Sequence, residues 1–150
     1  MFGFLKGSAD IVLDNYNYKF GDTISGKIVL DLKKDFLANS VSIRLIGEKR
    51  TMSYRGNSKS SNKQRFFDFK LPLDGKKIYQ KEECPIEYEF KIDIPENLKQ
   101  TESQGNLNKV IGAINLLKGN DSTIRWYLFV KLDVSKSLFD ISNKVQVNIT

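Results

Sequence analysis

Residues 18–32 read YKFGDTISGKIVLDL, a stretch suited to a β-strand yet interrupted by two glycines and an aspartate. Ile24, Ile28, Leu30 and Leu32 share parity with Gly26. A strand through them turns the second glycine to its apolar face, where a missing side chain permits a bulge or the close approach of another backbone. Gly21 and Asp22 read as the turn that feeds this strand, glycine supplying a positive φ and aspartate an acceptor for nearby backbone donors.

The same period of two runs through the neighbouring segments. In IEYEFKIDIP, Ile86, Tyr88, Phe90, Ile92 and Ile94 take one face and Glu87, Glu89, Lys91 and Asp93 the other, and Pro95 ends the strand. VSIRLIGEKR turns Val41, Ile43 and Leu45 inward; RFFDFKL does so with Phe67, Phe69 and Leu71. IRWYLFVKLDV contributes Ile124, Trp126, Leu128, Val130, Leu132 and Val134, and its Tyr127 and Phe129 make the second face partly apolar, the mark of a central or covered strand. KVQVNIT adds Val145, Val147 and Ile149. With DIVL and YNYKF, about eight strands joined by turns predict an all-β, immunoglobulin-like antiparallel sandwich. The exception is NLNKVIGAINLLKGN, whose Leu107, Val110, Ile111, Ile114 and Leu117 follow helical spacing and predict one amphipathic helix near residues 107–118 packed on a sheet. A length of 150 residues suits one domain, 1–150.

Composition excludes whole classes of chemistry. The sequence holds no histidine and one cysteine, Cys84. No Ser-His-Asp triad, Cys-His pair or histidine-containing zinc site can form, no catalytic residue stands out, and no cofactor or metal is expected. The acidic pairs Glu82–Glu83 and Glu87–Glu89 read as solvated charge rather than a carboxylate hydrolase. A lone cysteine and no secretory leader point to a cytoplasmic setting, peripheral to a membrane at most.

Taken together, Tyr18, Gly21-Asp22-Thr23, Ser25-Gly26-Lys27 and the strand that follows resemble the opening of the arrestin fold as found in α-arrestins, bacterial sporulation-control proteins and small archaeal and bacterial relatives. VSIRLIGEKRT is similar to the next strand of such a lobe, YEFKIDIPENL to the strand closing on Pro-Glu-Asn-Leu, and IRWYLFVKLDVSKSLFDISNKVQVNI to the paired final strands. The resemblance is to a single, amino-terminal lobe and implies a non-enzymatic scaffold or adaptor that binds other proteins, often at a membrane. Phe20 stands where a proline is usual, ADIVLD lacks the basic pair that senses receptor phosphates, and no Pro-Pro-x-Tyr motif is present, so phosphoreceptor recognition and ubiquitin-ligase recruitment are not carried over. Nor is an interlobe switch expected of one lobe.

Charge offers a local clue. From Glu48 to Arg65 the chain carries Lys49, Arg50, Arg55, Lys59, Lys63 and Arg65 against one acid, in a sequence whose formal net charge is +6. Serines, asparagines and a glycine make the segment read as a mobile hairpin tip, and these six residues are the candidate contact for an anionic partner, either an anionic membrane surface or an acidic protein. Tyr54 is its single stacking aromatic, which disfavours nucleic acid. Phe2, Phe4 and Leu5 could add apolar contact, and copies of the chain could associate through an edge strand. The competing class is a carbohydrate-binding module with Tyr54, Trp126 or Tyr127 as sugar platforms.

Overall fold

A computed structural model describes residues 6–56, 58–96, 122–135 and 140–150. Among the described residues nine strands form two facing sheets. The smaller has the antiparallel order β1 (Gly7–Leu13), β3 (Thr23–Leu32), β7 (Ile86–Asp93). The larger runs β2 (Asn17–Tyr18), β9 (Ile141–Ile149), β8 (Ser122–Val134), β4 (Phe36–Arg55), β5 (Ser58–Asp74), and the short β6 (Lys77–Tyr79) continues along the same edge of β4 as β5. Among the described strands only the β2–β9 pair is parallel. The domain is therefore an all-β sandwich, as its alternation predicts.

The core forms where the inward parities meet. Ile24, Ile28 and Leu30 of β3 with Phe90 and Ile92 of β7 pack against Val41, Ile43 and Leu45 of β4 and Trp126, Leu128 and Val130 of β8 in one buried cluster. β8 lies between β9 and β4, the central place that its two apolar faces required.

The opening stretch behaves as its chemistry demands. Gly26 sits on the inward face between Leu13 and Phe90, its register partners on β1 and β7. A Cβ there would strike the Val12 carbonyl and lie 2.9 Å from Leu13 Cδ2 and 3.1 Å from Phe90 Cζ. Glycine thus lets β1 and the Phe90 ring close over β3. Gly21 has φ +95°, and Asp22 Oδ2 accepts the Lys19 N–H at 2.8 Å. The turn is tied to the end of β7, since Gly21 N–H donates to Pro95 O at 3.1 Å and Ile94 N–H to Asp22 O at 2.8 Å.

Several expectations are corrected. In β5 a register shift opposite Gly47 and Glu48 inserts Phe66 as an extra buried residue; Phe67 and Leu71 pack partly buried against the core as expected, whereas Phe69, paired with the inward Leu45, is 44% exposed on an edge strand. Ile124, also expected inside, is 43% exposed at the open end of the sandwich. Strand β6 and the fully buried Tyr79 carry no period long enough to betray them in sequence. The helix expected at residues 107–118, like Phe2, Phe4 and Leu5, lies outside the described residues; the described chain holds almost no helix, its one named element being the 3-10 turn Lys81–Glu83.

A polar clasp joins the two sheets beside this core. Asp74, the last residue of β5, accepts from Tyr88 Oη of β7 at 2.7 Å, from the Gly75 N–H at 2.8 Å and from Lys77 Nζ at 2.8 Å. Tyr79 Oη donates to Gly75 O at 2.7 Å. Burial pushes the Asp74 carboxyl up, but the hydrogen bonds from Lys77, Tyr88 and Gly75 outweigh it and hold the group below its ordinary value. Burial, with the Asp74 charge behind it, pushes the Tyr79 phenol up to about 12.

Two outcomes test this account. Phe90→Ala, which empties a buried ring site between the sheets, should lower stability by about 3–5 kcal/mol in denaturant titration. A folded-state pKa below the unfolded value means that Asp74 contributes stability above the ordinary carboxylate pKa of 3.8, and that this is lost as pH falls through the depressed value. Asp74→Asn should therefore be less stable than the parent at neutral pH, and the gap should close as denaturation midpoints are followed below about pH 4.

Candidate functional site

The basic segment is a β-hairpin arm rather than a loop. β4 and β5 stay paired as far as Arg55 and Ser58. The polar residues continue the ladder because β4 is also hydrogen-bonded to β8 out to Thr51. Backbone pairing on both edges holds a strand that its serines and asparagines alone would leave loose.

Register then sorts the six candidates between two faces. Arg50 pairs with Lys63, and Glu48 with Arg65, on the outer face of the larger sheet; Lys59, opposite Tyr54, has the same register position. Lys49 and Arg55 fall on the other parity. Lys49 is only 7% exposed, turned inward beyond the core, and is removed from the surface the sequence had assigned it.

The outer face also gathers cations that lie far apart in sequence. Cross-strand rows align Lys144 of β9, Phe129 of β8, Arg44 of β4 and Lys70 of β5, and in the next row Gln146, Tyr127, Ile46 and Asp68. Arg44, Arg65, Lys131 and Lys144 surround a shallow depression of about 330 Å³ with Ile46, Tyr127 and Phe129. Asp68 Oδ2 accepts from Arg44 Nη1 at 3.0 Å and from Arg65 Nη1 at 3.1 Å. One carboxylate is thus shared by two guanidiniums, which leaves further N–H donors unspent. Lys131 pairs with Asp140 at 3.3 Å, whereas Lys144 lies 5.5 Å from the centre of the Tyr127 ring with no carboxylate partner among the described residues. Tyr127 Oη donates to Glu48 Oε2 at 3.3 Å. Burial and the Glu48 charge raise the Tyr127 phenol, while burial works against the Arg65 charge and is outweighed by Tyr127 and Asp68, which raise that guanidinium. Arg50 Nε is buried without a hydrogen-bond partner. The arrangement is chemically an array of cationic donors, and nothing in it resembles a nucleophile with its base.

Of the sequence candidates, Arg50, Lys63 and Arg65 therefore join this face. Arg44, Lys131, Lys144 and Tyr127 were missed, although the even parity of Arg44, Ile46, Glu48 and Arg50 in RLIGEKR already placed Arg44 beside them. Trp126 is withdrawn as a sugar platform: it is 4% exposed, with Phe20, Phe66 and Phe67 packed around it at centroid distances of 6.1, 5.4 and 5.5 Å. Among the described residues no helix is long and apolar enough to cross a membrane.

Comparison with known proteins agrees with this architecture. The family model described as arrestin (or S-antigen), C-terminal domain, matches residues 6–150. The sporulation control protein Spo0M of Bacillus subtilis superposes with a TM-score of 0.63 at 12% identity, covering 96% of this chain and 49% of that one. The chain thus spans about half the length of that relative. The E. coli curli protein CsgC aligns over 92% of this chain and 96% of its own at 9% identity, but a TM-score of 0.27 carries no structural argument. No curated protein matches by sequence.

Proposed function

Because the chain belongs to the arrestin C-terminal domain family, we propose that it is a non-enzymatic adaptor, which binds a protein partner and is drawn to an anionic membrane surface by the outer face of its β4–β5 arm. The observation that carries this reading is the register that lines Arg50, Lys63 and Arg65 on one face of a projecting hairpin, continuous with Arg44 and Lys144. Arrestin relatives are generally binding scaffolds, and a sequence without histidine lacks the commonest proton carrier at neutral pH.

Attraction of this kind is screened over roughly 8 Å at physiological ionic strength, so it weakens as salt rises. Each basic side chain near an anionic bilayer contributes on the order of 1 kcal/mol. The double variant Lys59→Ser, Lys63→Ser removes outer-face cations of the arm and spares Arg65, which Asp68 holds in its ion pair. Its partition onto phosphatidylserine vesicles in co-sedimentation should fall on the order of thirtyfold relative to the parent. Equal partition of the two proteins, together with equal recovery of partners from native lysate, would remove the arm from the function.

A further inference from the structure

The two outer faces of the sandwich carry opposite charge. On the smaller sheet the outward parity places Asp10 of β1, Asp31 of β3 and Glu87, Glu89 and Asp93 of β7 on one surface, with Lys27 and Lys91 as its cations. Lys27 is engaged by Glu87 at 3.2 Å, and Asp93 accepts from Thr23 Oγ1 at 2.8 Å. Asp10, Asp31 and Glu89 are exposed and make no ion pair among the described residues. On the opposite side of the molecule, Lys63, Lys70 and Lys144 are likewise exposed and unengaged by any carboxylate among the described residues. Both surfaces are faces of antiparallel sheets, and each offers the charge that the other lacks.

We propose that the occupant of the basic face is the acidic face of a second copy of this chain, so that molecules associate head to tail, smaller sheet of one on larger sheet of the next. Complementary potentials steer such an encounter and set its orientation, while exposed charges supply modest affinity, so the assembly is concentration-dependent and dissolves with salt. The contact joins two different surfaces and is therefore heterologous: it leaves one free basic and one free acidic face on every oligomer and grows rather than stopping at a two-fold dimer. An anionic membrane would compete for the same basic face. The inference does not depend on that reading, because it concerns the purified protein alone.

Sedimentation velocity on the purified chain provides the test. At about 25 mM salt the weight-average mass should climb above the 17.2 kDa monomer as concentration rises, and at about 500 mM it should return to the monomer. Asp10→Lys with Glu89→Lys reverses the acidic face, and Lys70→Glu with Lys144→Glu reverses the basic one. Each double variant alone should stay monomeric at low salt, and a mixture of the two should recover association, because each retains the face the other needs. That recovery separates a docking surface from a fold damaged by substitution, and the vesicle assay of the arm variant reports on none of these four residues. A parent that stays monomeric at low salt overturns the proposal, as does association that survives in both variants, which would place the contact at an edge strand.

Discussion

The placement of the basic outer face of the larger sheet depends on the pairing of one strand. β4 runs for twenty residues and is hydrogen-bonded to β8 on one side and to β5 and β6 on the other. Its odd residues from Val41 to Leu45 fill the core while Arg44, Glu48 and Arg50 face out. A slip of one residue against either neighbour would exchange these sets, burying arginines where leucine and isoleucine now pack. The apolar face thus holds the basic face in register, and the sandwich core is what gives the outer surface its order.

This dependence explains what could be read in advance. Parity alone identified the inward residues of β3 and β7 and, Ile124 apart, of β8, because each strand buries one face against the shared core, which punishes any departure from alternation. The turn at Gly21 and Asp22 was equally legible, since few residue types satisfy a positive φ followed by a side-chain acceptor. β5 was legible only in part, because it is an edge strand whose outer side makes no ladder among the described residues, and there a bulge can insert the buried Phe66 at little cost. Phe67, Phe69 and Leu71 keep the inward parity, pairing with Gly47, Leu45 and Ile43, but the edge position leaves Phe69 44% exposed, while the inserted Phe66 is buried outside any alternation.

The candidate site was legible only as composition. A cluster of cations between residues 49 and 65 is plain in the sequence, and its serines and asparagines argue for a loop when no partner strand is considered. Pairing with β8 turns the same residues into an arm, buries Lys49 and joins Arg65 to Arg44 through the shared Asp68. Lys131 and Lys144 come from strands more than sixty residues further along, so only topology could have assembled them. Long-range antiparallel pairing is the step that local pattern cannot supply.

An opposition of charge between two sheet faces has a further physical consequence. A net charge of +6 describes the chain as a whole, yet the smaller sheet's outer face is dominated by Asp10, Asp31, Glu87, Glu89 and Asp93. Approaching molecules at short range therefore meet a dipolar object rather than a uniformly basic one, and orientation decides whether they attract or repel. At high ionic strength the distinction fades with the Debye length, and what remains is the neutral chemistry of two polar sheet surfaces. A sandwich built this way has its electrostatic polarity written in the parity of its strands: the alternation that separates core from solvent also assigns one sign of charge to each outer face.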